Sequence, residues 1–306
     1  MIVGSRGSAL ALTQSRWVLL RLQQAAVPVR GEIEIIQTTA DQHQEKSLAD
    51  IGGKGLFVKE LEEALAKKQI DVAVHSLKDV PGIVPDAFSI AVYCGMEIRG
   101  DVLLSQKAKT IEALPKGAVV GTASPRRKAQ LLALRPDLKV QPLRGNVETR
   151  IRKMESGEID AVMLAAAGLQ RLGKTSLIPS VLDPKKFLPA VGQGILGLEV
   201  RCADIELMEC LNRIFADPIT TAIATAERAL LAGLGGDCHS PIAAHAFVNG
   251  QKVSLIAWVG AADGSKELRR DGEDVLENAS NVGFKLAKEI LAAGGKELLE
   301  KACGSC

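Results

Sequence analysis

Basic residues are concentrated in one stretch of this 306-residue chain. Between Gly121 and Lys153 there are nine lysines and arginines and two acids, a formal charge of +7, whereas the whole chain carries +2 and the other residues therefore −5. A cationic patch on a nearly neutral protein indicates an anionic ligand. Aromatic residues are 3% of the chain and none lies in this stretch, so platforms for stacking nucleic-acid bases are missing. A small polyanion is favoured.

Four arginines of this stretch lie near predicted strand-to-helix turns: Arg126, Arg127, Arg144 and Arg150. Ser124 is a natural N-cap, and Pro125 suits the first helical position, where no amide hydrogen is needed. Asn146 is a candidate cap for the second turn. A guanidinium group can fork onto a carboxylate. One arginine on a helix is usually solvated, but four at such turns favour an anion site.

Two further segments combine charged residues with turns. Residues 75–81 (HSLKDVP) follow an apolar stretch that predicts a buried strand, and ligands bind beyond strand ends in open α/β sheets. Asp79 and Lys78 there could pair a catalytic carboxylate with an anion site, or simply form a turn closed by Pro81. Residues 52–55 (GGKG) precede a helix and could bring backbone amides to an anion, although a solvated lysine on a flexible loop explains them equally well.

Six cysteines are scattered along the chain, and no disulfide framework is expected. Cys238 lies in a glycine-rich loop, where a thiol is accessible to an electrophile, although a buried structural thiol is the alternative. Cys303 and Cys306 form a CxxC without a second pair of ligands, so no metal site is predicted.

The elements that must position these residues alternate between strand and helix. Apolar runs predict strands at 70–74, 118–120 and 160–164, and a helix at 56–65, which indicates α/β layers with mainly parallel sheets. After Ala216 the pattern changes to a helix at 220–234, a strand at 253–259 and a long helix at 274–293. This predicts a separate small α+β domain that carries Cys238.

Length and composition fit a globular enzyme of two or three domains, with 47% hydrophobic and 24% charged residues. No apolar run is long enough to span a bilayer. The first residues lack the charged start, apolar stretch and cleavage site of a signal peptide, so a cytoplasmic protein is expected.

Several segments resemble the signatures of the hydroxymethylbilane synthase (porphobilinogen deaminase) family, in the family's order and over nearly the whole chain. They are residues 53–62 (GKGLFVKELE), 74–81 (VHSLKDVP), 143–147 (LRGNV), 188–194 (LPAVGQG) and 235–242 (GGDCHSPI). The resemblance implies an α/β fold with three domains. Two lobes like those of periplasmic binding proteins, with mixed, mainly parallel sheets, are implied at 1–95 with 195–214 and at 96–194. A small α+β domain is implied at 215–306.

The resemblance also implies residue roles. Asp79 matches the catalytic carboxylate, and Cys238 matches the cysteine that carries a dipyrromethane cofactor through a thioether. Cofactor- and substrate-binding positions match Arg6, Ser8, Lys54, Ser76, Lys78, Thr122, Ser124, Arg126, Arg127, Arg144, Arg150, Arg171 and Gln193. Two positions depart from some members, which have a lysine at Asp50 and a leucine at Pro125; a cofactor contact at Asp50 is in doubt.

The implied activity is the stepwise deamination and head-to-tail joining of four porphobilinogen molecules on the cofactor, followed by hydrolytic release of a linear tetrapyrrole. No metal, nucleic acid or membrane partner is implied, and a monomer is expected. The competing hypothesis is a bilobed protein that binds a carboxylate or oxyanion without turnover. A basic nucleic-acid-binding module is a third possibility.

Overall fold

Three separate β-sheets organise the chain in the computed structural model, which describes residues 1–29, 31–38, 58–178, 180–237 and 240–303. The strands are β1 (Val3–Ser5), β2 (Ile33–Ile35), β3 (Val72–Ser76), β4 (Phe88–Cys94), β5 (Asp101–Ser105), β6 (Val119–Gly121), β7 (Lys139–Gln141), β8 (Ala161–Ala165), β9 (Leu196–Arg201), β10 (Ile242–Asn249), β11 (Lys252–Gly260) and β12 (Glu267–Val275). The α-helices are α1 (Ala9–Gln24), α2 (Lys59–Ala66), α3 (Pro125–Leu134), α4 (Val147–Glu155), α5 (Ala166–Arg171), α6 (Ile205–Phe215), α7 (Pro218–Leu234), α8 (Ala279–Ile290) and α9 (Lys296–Cys303).

The first two sheets are mixed. The first lobe is the sheet β2-β1-β3-β9-β4 with its helices α1, α2 and α6; β1 runs parallel to β2 and β3, and β9 runs antiparallel to β3 and β4. The second lobe is the sheet β5-β8-β6-β7 with α3, α4 and α5; β6 is parallel to β7 and β8, and β5 is antiparallel to β8. The predicted α/β class is confirmed.

The third lobe is the antiparallel sheet β10-β11-β12 with α7, α8 and α9. Helices α7 and α8 pack on each other and on this sheet. The apolar core between them continues into the first lobe, where Leu77 and Val80 join the same buried cluster as Leu230 and Leu231 of α7. The predicted small C-terminal α+β unit is confirmed, and it is not an isolated body.

The predicted strands and helices are found with small shifts, with one exception; the first two residues of the helix predicted at 56–65 lie outside the described residues. The helix predicted at 274–293 is wrong at its start, because Asp274 and Val275 end strand β12 and α8 begins only at Ala279. At its other end, α8 is followed by a π-type turn in which Gly294 has a φ of 94°. The chain then continues as α9.

Two chain segments cross between the first and second lobes, one from β4 to β5 and one from α5 back to β9. Glu227 of α7 holds both. Its carboxylate accepts hydrogen bonds from the backbone N–H of Gly192 at 2.8 Å and of Ala246 at 2.7 Å, and it pairs with the Arg99 guanidinium. All three lobes therefore meet at one buried carboxylate.

Candidate functional site

The strand ends of the first and second lobes face a cleft of about 210 Å³ that the third lobe closes from one side. Its polar lining is Lys78 and Asp79 from the first lobe, Ser124, Arg126, Arg127 and Arg150 from the second, Gln193 from a crossing segment, and Asp237 and Ser240 from the third. A smaller cavity of about 50 Å³ lies in the first lobe, lined by Arg6, Ser8, Gln14, His75, Ser76 and Asp79 among others. Asp79 lines both.

A single turn of 3₁₀ helix places Asp79. Strand β3 is buried from Val72 to His75, and residues Leu77–Asp79 form the turn that follows Ser76. Leu77 is buried in the core, whereas Lys78 and Asp79 stay partly exposed. Gly192 lies against this turn with a φ of 70°, and a Cβ there would come within 2.8 Å of the Leu77 side chain. The close approach therefore requires a glycine.

Lys78 is a cation held in an unfavourable environment. Burial lowers the pKa of its ammonium group to about 8, and the charges of Arg127 and Arg126 act in the same direction, whereas Asp79 and Asp101 oppose them. A bound carboxylate would relieve this cost, because an opposite charge favours the ammonium form.

Arg126 and Arg127 are positioned by a helix start that the sequence predicts. The Ser124 side chain accepts a hydrogen bond from the backbone N–H of Arg127, and Pro125 occupies the first turn of α3. Thr122 is buried and its hydroxyl accepts from the Ser124 backbone N–H at 3.2 Å, so it shapes this loop without lining either cavity.

The carboxylate of Asp101 is hydrogen-bonded to the side chains of three predicted site residues. It accepts hydrogen bonds from Arg126 at 2.8 Å, Arg127 at 2.7 Å and Gln193 at 2.9 Å. Asp101 is fully buried, yet the two guanidinium groups hold the pKa of its carboxyl group well below its usual range. Sequence reasoning missed this residue. The sequence feature that could have identified it is an acidic residue directly before the apolar run Val102–Leu104.

Part of the hydrogen-bonding capacity of this cluster is unused. Within the described residues, the Nε atoms of Arg126 and Arg127 and the Oε1 atom of Gln193 are buried without a partner. Arg126 also donates to the Leu188 carbonyl, and Arg127 to the Met163 carbonyl. The three side chains are thus held rigidly while donors and an acceptor remain for a ligand. This fits a polyanionic pyrrole cofactor with ring N–H groups.

Arg150 and Arg144 extend the positive charge along the cleft. The Arg150 Nε donates to the Gly145 carbonyl at 2.8 Å, and Asn146 caps α4 by accepting from the Thr149 N–H at 2.9 Å. Burial, with the charges of Arg127 and Arg144, lowers the pKa of Arg150 to about 10. Arg144 is partly buried and lies outside the lining of the two cavities.

Arg171 occupies a different place from the other predicted arginines. Its Nη2 donates to the carbonyls of Gly95 and Gly194, both at 2.9 Å, so it joins the two crossing segments. It is not among the residues that line the two cavities. In this structure Arg171 organises the connection between the lobes.

The small cavity is built around the start of α1. Ser8 caps this helix by accepting from the Ala11 N–H at 3.2 Å, and Arg6 lies beside it in the lining. Gln14, one turn and a half further on, donates to the Ser76 hydroxyl at 2.8 Å and is almost completely buried. Gln14 was also missed, because a single glutamine in a helix carries no signal of its own.

Lys54 and Cys238, two of the predicted site residues, lie outside the described residues, as does Asp50. Asp237 and Ser240, which flank residues 238 and 239, both line the large cleft. The Ser240 hydroxyl donates to the Asp237 carboxylate at 3.1 Å. The described ends of the loop therefore lead to the cleft that holds Asp79 and Gln193.

Comparisons with known proteins agree over nearly the whole chain. Residues 1–209 match the family model "Porphobilinogen deaminase, dipyromethane cofactor binding domain", and residues 221–292 match "Porphobilinogen deaminase, C-terminal domain". The chain is 44% identical to the porphobilinogen deaminase of Desulforamulus reducens, over 98% of this chain and 96% of that protein. It is also 44% identical to the porphobilinogen deaminase of Halalkalibacterium halodurans, with the same coverage.

Among solved structures, the chain is similar to the periplasmic VFT2 domain of Bordetella pertussis BvgS, at 18% identity and a TM-score of 0.42. The match covers 75% of this chain and 90% of that domain. A likeness at this level says nothing about the ligand. Separately, none of the described helices combines the length and apolar character that a membrane span requires.

Proposed function

Because the chain belongs to the porphobilinogen deaminase family, we propose that Asp79 is its catalytic carboxylate and that Cys238 carries its cofactor. The family's enzymes are transferases that deaminate porphobilinogen and join four units head to tail before releasing the linear tetrapyrrole. A carboxylate-binding protein without turnover is not favoured. The observation that carries the role of Asp79 is its position in the lining of both cavities.

The chemistry needs a negative charge at this point. Loss of ammonia from the aminomethyl group of the substrate generates an azafulvenium cation, which a fixed carboxylate in a site shielded from water stabilises. The same carboxylate can accept and return protons during the addition. When bound, the dipyrromethane supplies the pyrrole carbon to which the first substrate unit is joined. Asp79 is partly exposed to the cleft and is therefore accessible to such a cation.

The cationic residues suit the acetate and propionate groups of the pyrroles. We assign binding of the cofactor and substrate to Arg126, Arg127, Arg150, Lys78, Ser124 and Gln193 in the large cleft, and to Arg6, Ser8 and Ser76 in the small one. Each charge-assisted hydrogen bond is worth ~1.5–3 kcal/mol. We also assign binding roles to Arg144 and Thr122 at the border of the cleft and to Arg171 in the crossing segments. The assignment of Lys54 rests on the family motif alone.

The three sheets support a division into domains at residues 1–95 with 195–214, 96–194 and 215–306. We further propose that the protein is a cytoplasmic monomer that does not bind nucleic acid. The free cysteines Cys94, Cys202 and Cys210 are typical of a reducing compartment. The absence of aromatic residues from the cationic stretch argues against base stacking.

Substitution of Asp79 tests its role. Asp79→Asn keeps the shape but loses the charge, so addition of porphobilinogen to holoenzyme in a single turnover should slow by at least ~10²–10⁴-fold. Asp79→Glu keeps the charge, displaced by a methylene group, and should retain more activity. Cofactor content is checked by intact mass, so that an assembly defect is not mistaken for a catalytic one. A fully loaded Asp79→Asn enzyme within a few-fold of the wild-type rate would leave Asp79 as a turn residue.

Peptide mapping by mass spectrometry tests the attachment site. A dipyrromethane adduct is expected on the peptide that contains Cys238. Cys202, which is exposed, serves as the internal control for adventitious reaction of a thiol. An unmodified Cys238 in active enzyme, or an adduct on another cysteine, would overturn the assignment.

A further inference from the structure

An arginine of the third lobe holds the segment that directly follows Asp79. Arg228 lies on α7 and is almost completely buried. Its Nη2 donates to the Pro81 carbonyl at 2.9 Å and approaches the Gly82 carbonyl at 3.4 Å, while its Nη1 is 3.5 Å from the Val80 carbonyl. One guanidinium group thus lies under three successive carbonyls.

The packing around Arg228 leaves this segment little freedom. A Cβ at Gly82 would come within 2.9 Å of the backbone nitrogen of Ala232, so the loop lies directly on the backbone of α7. Val80 is buried in the same apolar cluster as Leu231, and Leu231 also lines the large cleft. The carboxylate turn is therefore seated on a helix of another lobe.

The same helix leads to the predicted attachment site. Helix α7 ends at Leu234, Gly235 follows in the left-handed conformation with a φ of 65°, and Asp237 is already part of the cleft lining. Arg228 and Leu234 are six residues apart, which is roughly 9 Å along a helix. This length of helix α7 separates Arg228, which contacts the segment after Asp79, from the loop that carries Cys238.

We propose that Arg228 is a positioning residue, which fixes the Asp79 carboxylate relative to the cofactor-attachment loop by clamping residues 80–82 to α7. The proposal rests on the proposed catalytic role of Asp79. Within the described residues, the hydrogen-bond partners of the Arg228 guanidinium group are backbone carbonyls, and none is a carboxylate. The planar fork of an arginine can span neighbouring carbonyls, whereas the ammonium group of a lysine is a single point donor.

The test is a comparison of Arg228→Gln in two backgrounds. In the wild-type background, a fully loaded Arg228→Gln holoenzyme should add porphobilinogen ~10–100-fold more slowly in a single turnover, because a small displacement of a catalytic group has effects of this size. The KM for porphobilinogen should change little, since Arg228 does not line the cleft. In the Asp79→Asn background, the same substitution should lower the single-turnover rate by less than ~2-fold, because the charge that Arg228 positions is already absent. Arg228→Lys should restore part of the rate.

Arg201→Gln is the matched control. Arg201 likewise donates to two backbone carbonyls, those of Leu65 and Ile70, both at 2.8 Å; unlike Arg228 it also pairs with Asp71 and Asp204, and it lines neither cavity. Its loss should lower the unfolding midpoint and leave the single-turnover rate of loaded enzyme unchanged. If Arg228→Gln does not fold, Gly82→Ala carries the same comparison, because the added methyl group pushes the loop away from α7.

The outcomes separate the two proposals. Equal slowing by Arg228→Gln in both backgrounds, with Asp79→Asn itself slow, would overturn the positioning role and leave Asp79 catalytic. A wild-type rate for loaded Arg228→Gln would do the same. A wild-type rate for loaded Asp79→Asn would overturn both.

Discussion

Asp101 and Arg127 are joined by a hydrogen bond of 2.7 Å between two almost completely buried side chains, although 26 positions separate them in the sequence. Asp101 begins strand β5, at the point where the chain enters the second lobe, and Arg127 lies in the first turn of α3. The carboxylate neutralises one of the two charges that Arg126 and Arg127 bring to the cleft. It also fixes the direction in which both guanidinium groups point.

Asp101→Asn should therefore impair both stability and cofactor assembly. The substitution leaves Arg126 and Arg127 without their counter-charge, and breaking a buried pair in this way costs about 3–5 kcal/mol of unfolding free energy. Chemical unfolding measures the loss, and intact mass measures the fraction of chains with cofactor. Glu273→Gln is the control, because its pair with Lys252 is exposed and should contribute little to the unfolding free energy. An unchanged unfolding midpoint for Asp101→Asn would contradict the structure.

Arg126 and Arg144 should respond differently to replacement by leucine. Arg126 is 3% exposed and paired with Asp101. Arg126→Leu should therefore lower the unfolding free energy by several kcal/mol, up to ~5, and should also weaken cofactor binding. Arg144 is partly exposed, and Arg144→Leu should change the unfolding free energy by less than ~1 kcal/mol. Both should lower the holoenzyme yield. Lysine at either position should restore it only partly, because a point charge does not reproduce the fork. If Arg126→Leu were as stable as Arg144→Leu, the contact with Asp101 would be energetically unimportant.

The lowered pKa of Lys78 predicts an alkaline loss of substrate binding. Below about 8 the side chain is an ammonium ion that attracts a carboxylate, and as the pH rises through this value it becomes a neutral amine. The KM for porphobilinogen should therefore rise above this pH, by up to about tenfold per pH unit. Arginine stays charged, so Lys78→Arg should show no such rise between about pH 7 and about pH 9. Identical pH profiles for the two enzymes would exclude Lys78 as the titrating group.

Gln14 should contribute to substrate binding through Ser76. Gln14→Ala removes the partner of the Ser76 hydroxyl, and loss of one neutral hydrogen bond predicts a KM increase of ~2–10-fold with a smaller change in kcat. Gln23→Ala, at an exposed position of the same helix, should leave both constants unchanged. Steady-state kinetics measures both constants for the two variants. Equal KM values would show that Gln14 does not contribute to substrate binding.

The parts of the site that the sequence predicts correctly depend on neighbours a few positions apart. Ser124 and Asn146 both cap helices by accepting from the backbone N–H three residues later, as the local pattern indicates. Strands β3, β6 and β8 are recognisable because each contains consecutive apolar residues. Such features need no knowledge of the tertiary structure.

The features that the sequence does not predict depend on distant partners. Asp101 contacts residues up to 92 positions away, so only folding shows that one carboxylate organises two arginines and a glutamine. Strand β12 is rich in charged residues, and its backbone hydrogen bonds are made with β11. Asp274 of β12 lies opposite Val253 of β11. This pairing extends the strand through Val275, whereas local propensity predicts a helix from Asp274.

The contacts of Glu227 bear on how the cleft can open. Because its carboxylate holds Gly192 on one crossing segment and Arg99 on the other, a rotation of the first two lobes that keeps both contacts would turn about a point close to Glu227. Such a rotation displaces each atom in proportion to its distance from the axis. Gln193, next to the axis, would barely move, whereas Arg150 on α4 would travel further. Extra room for a longer pyrrole chain would therefore arise at the outer end of the cleft, while the inner end kept its dimensions.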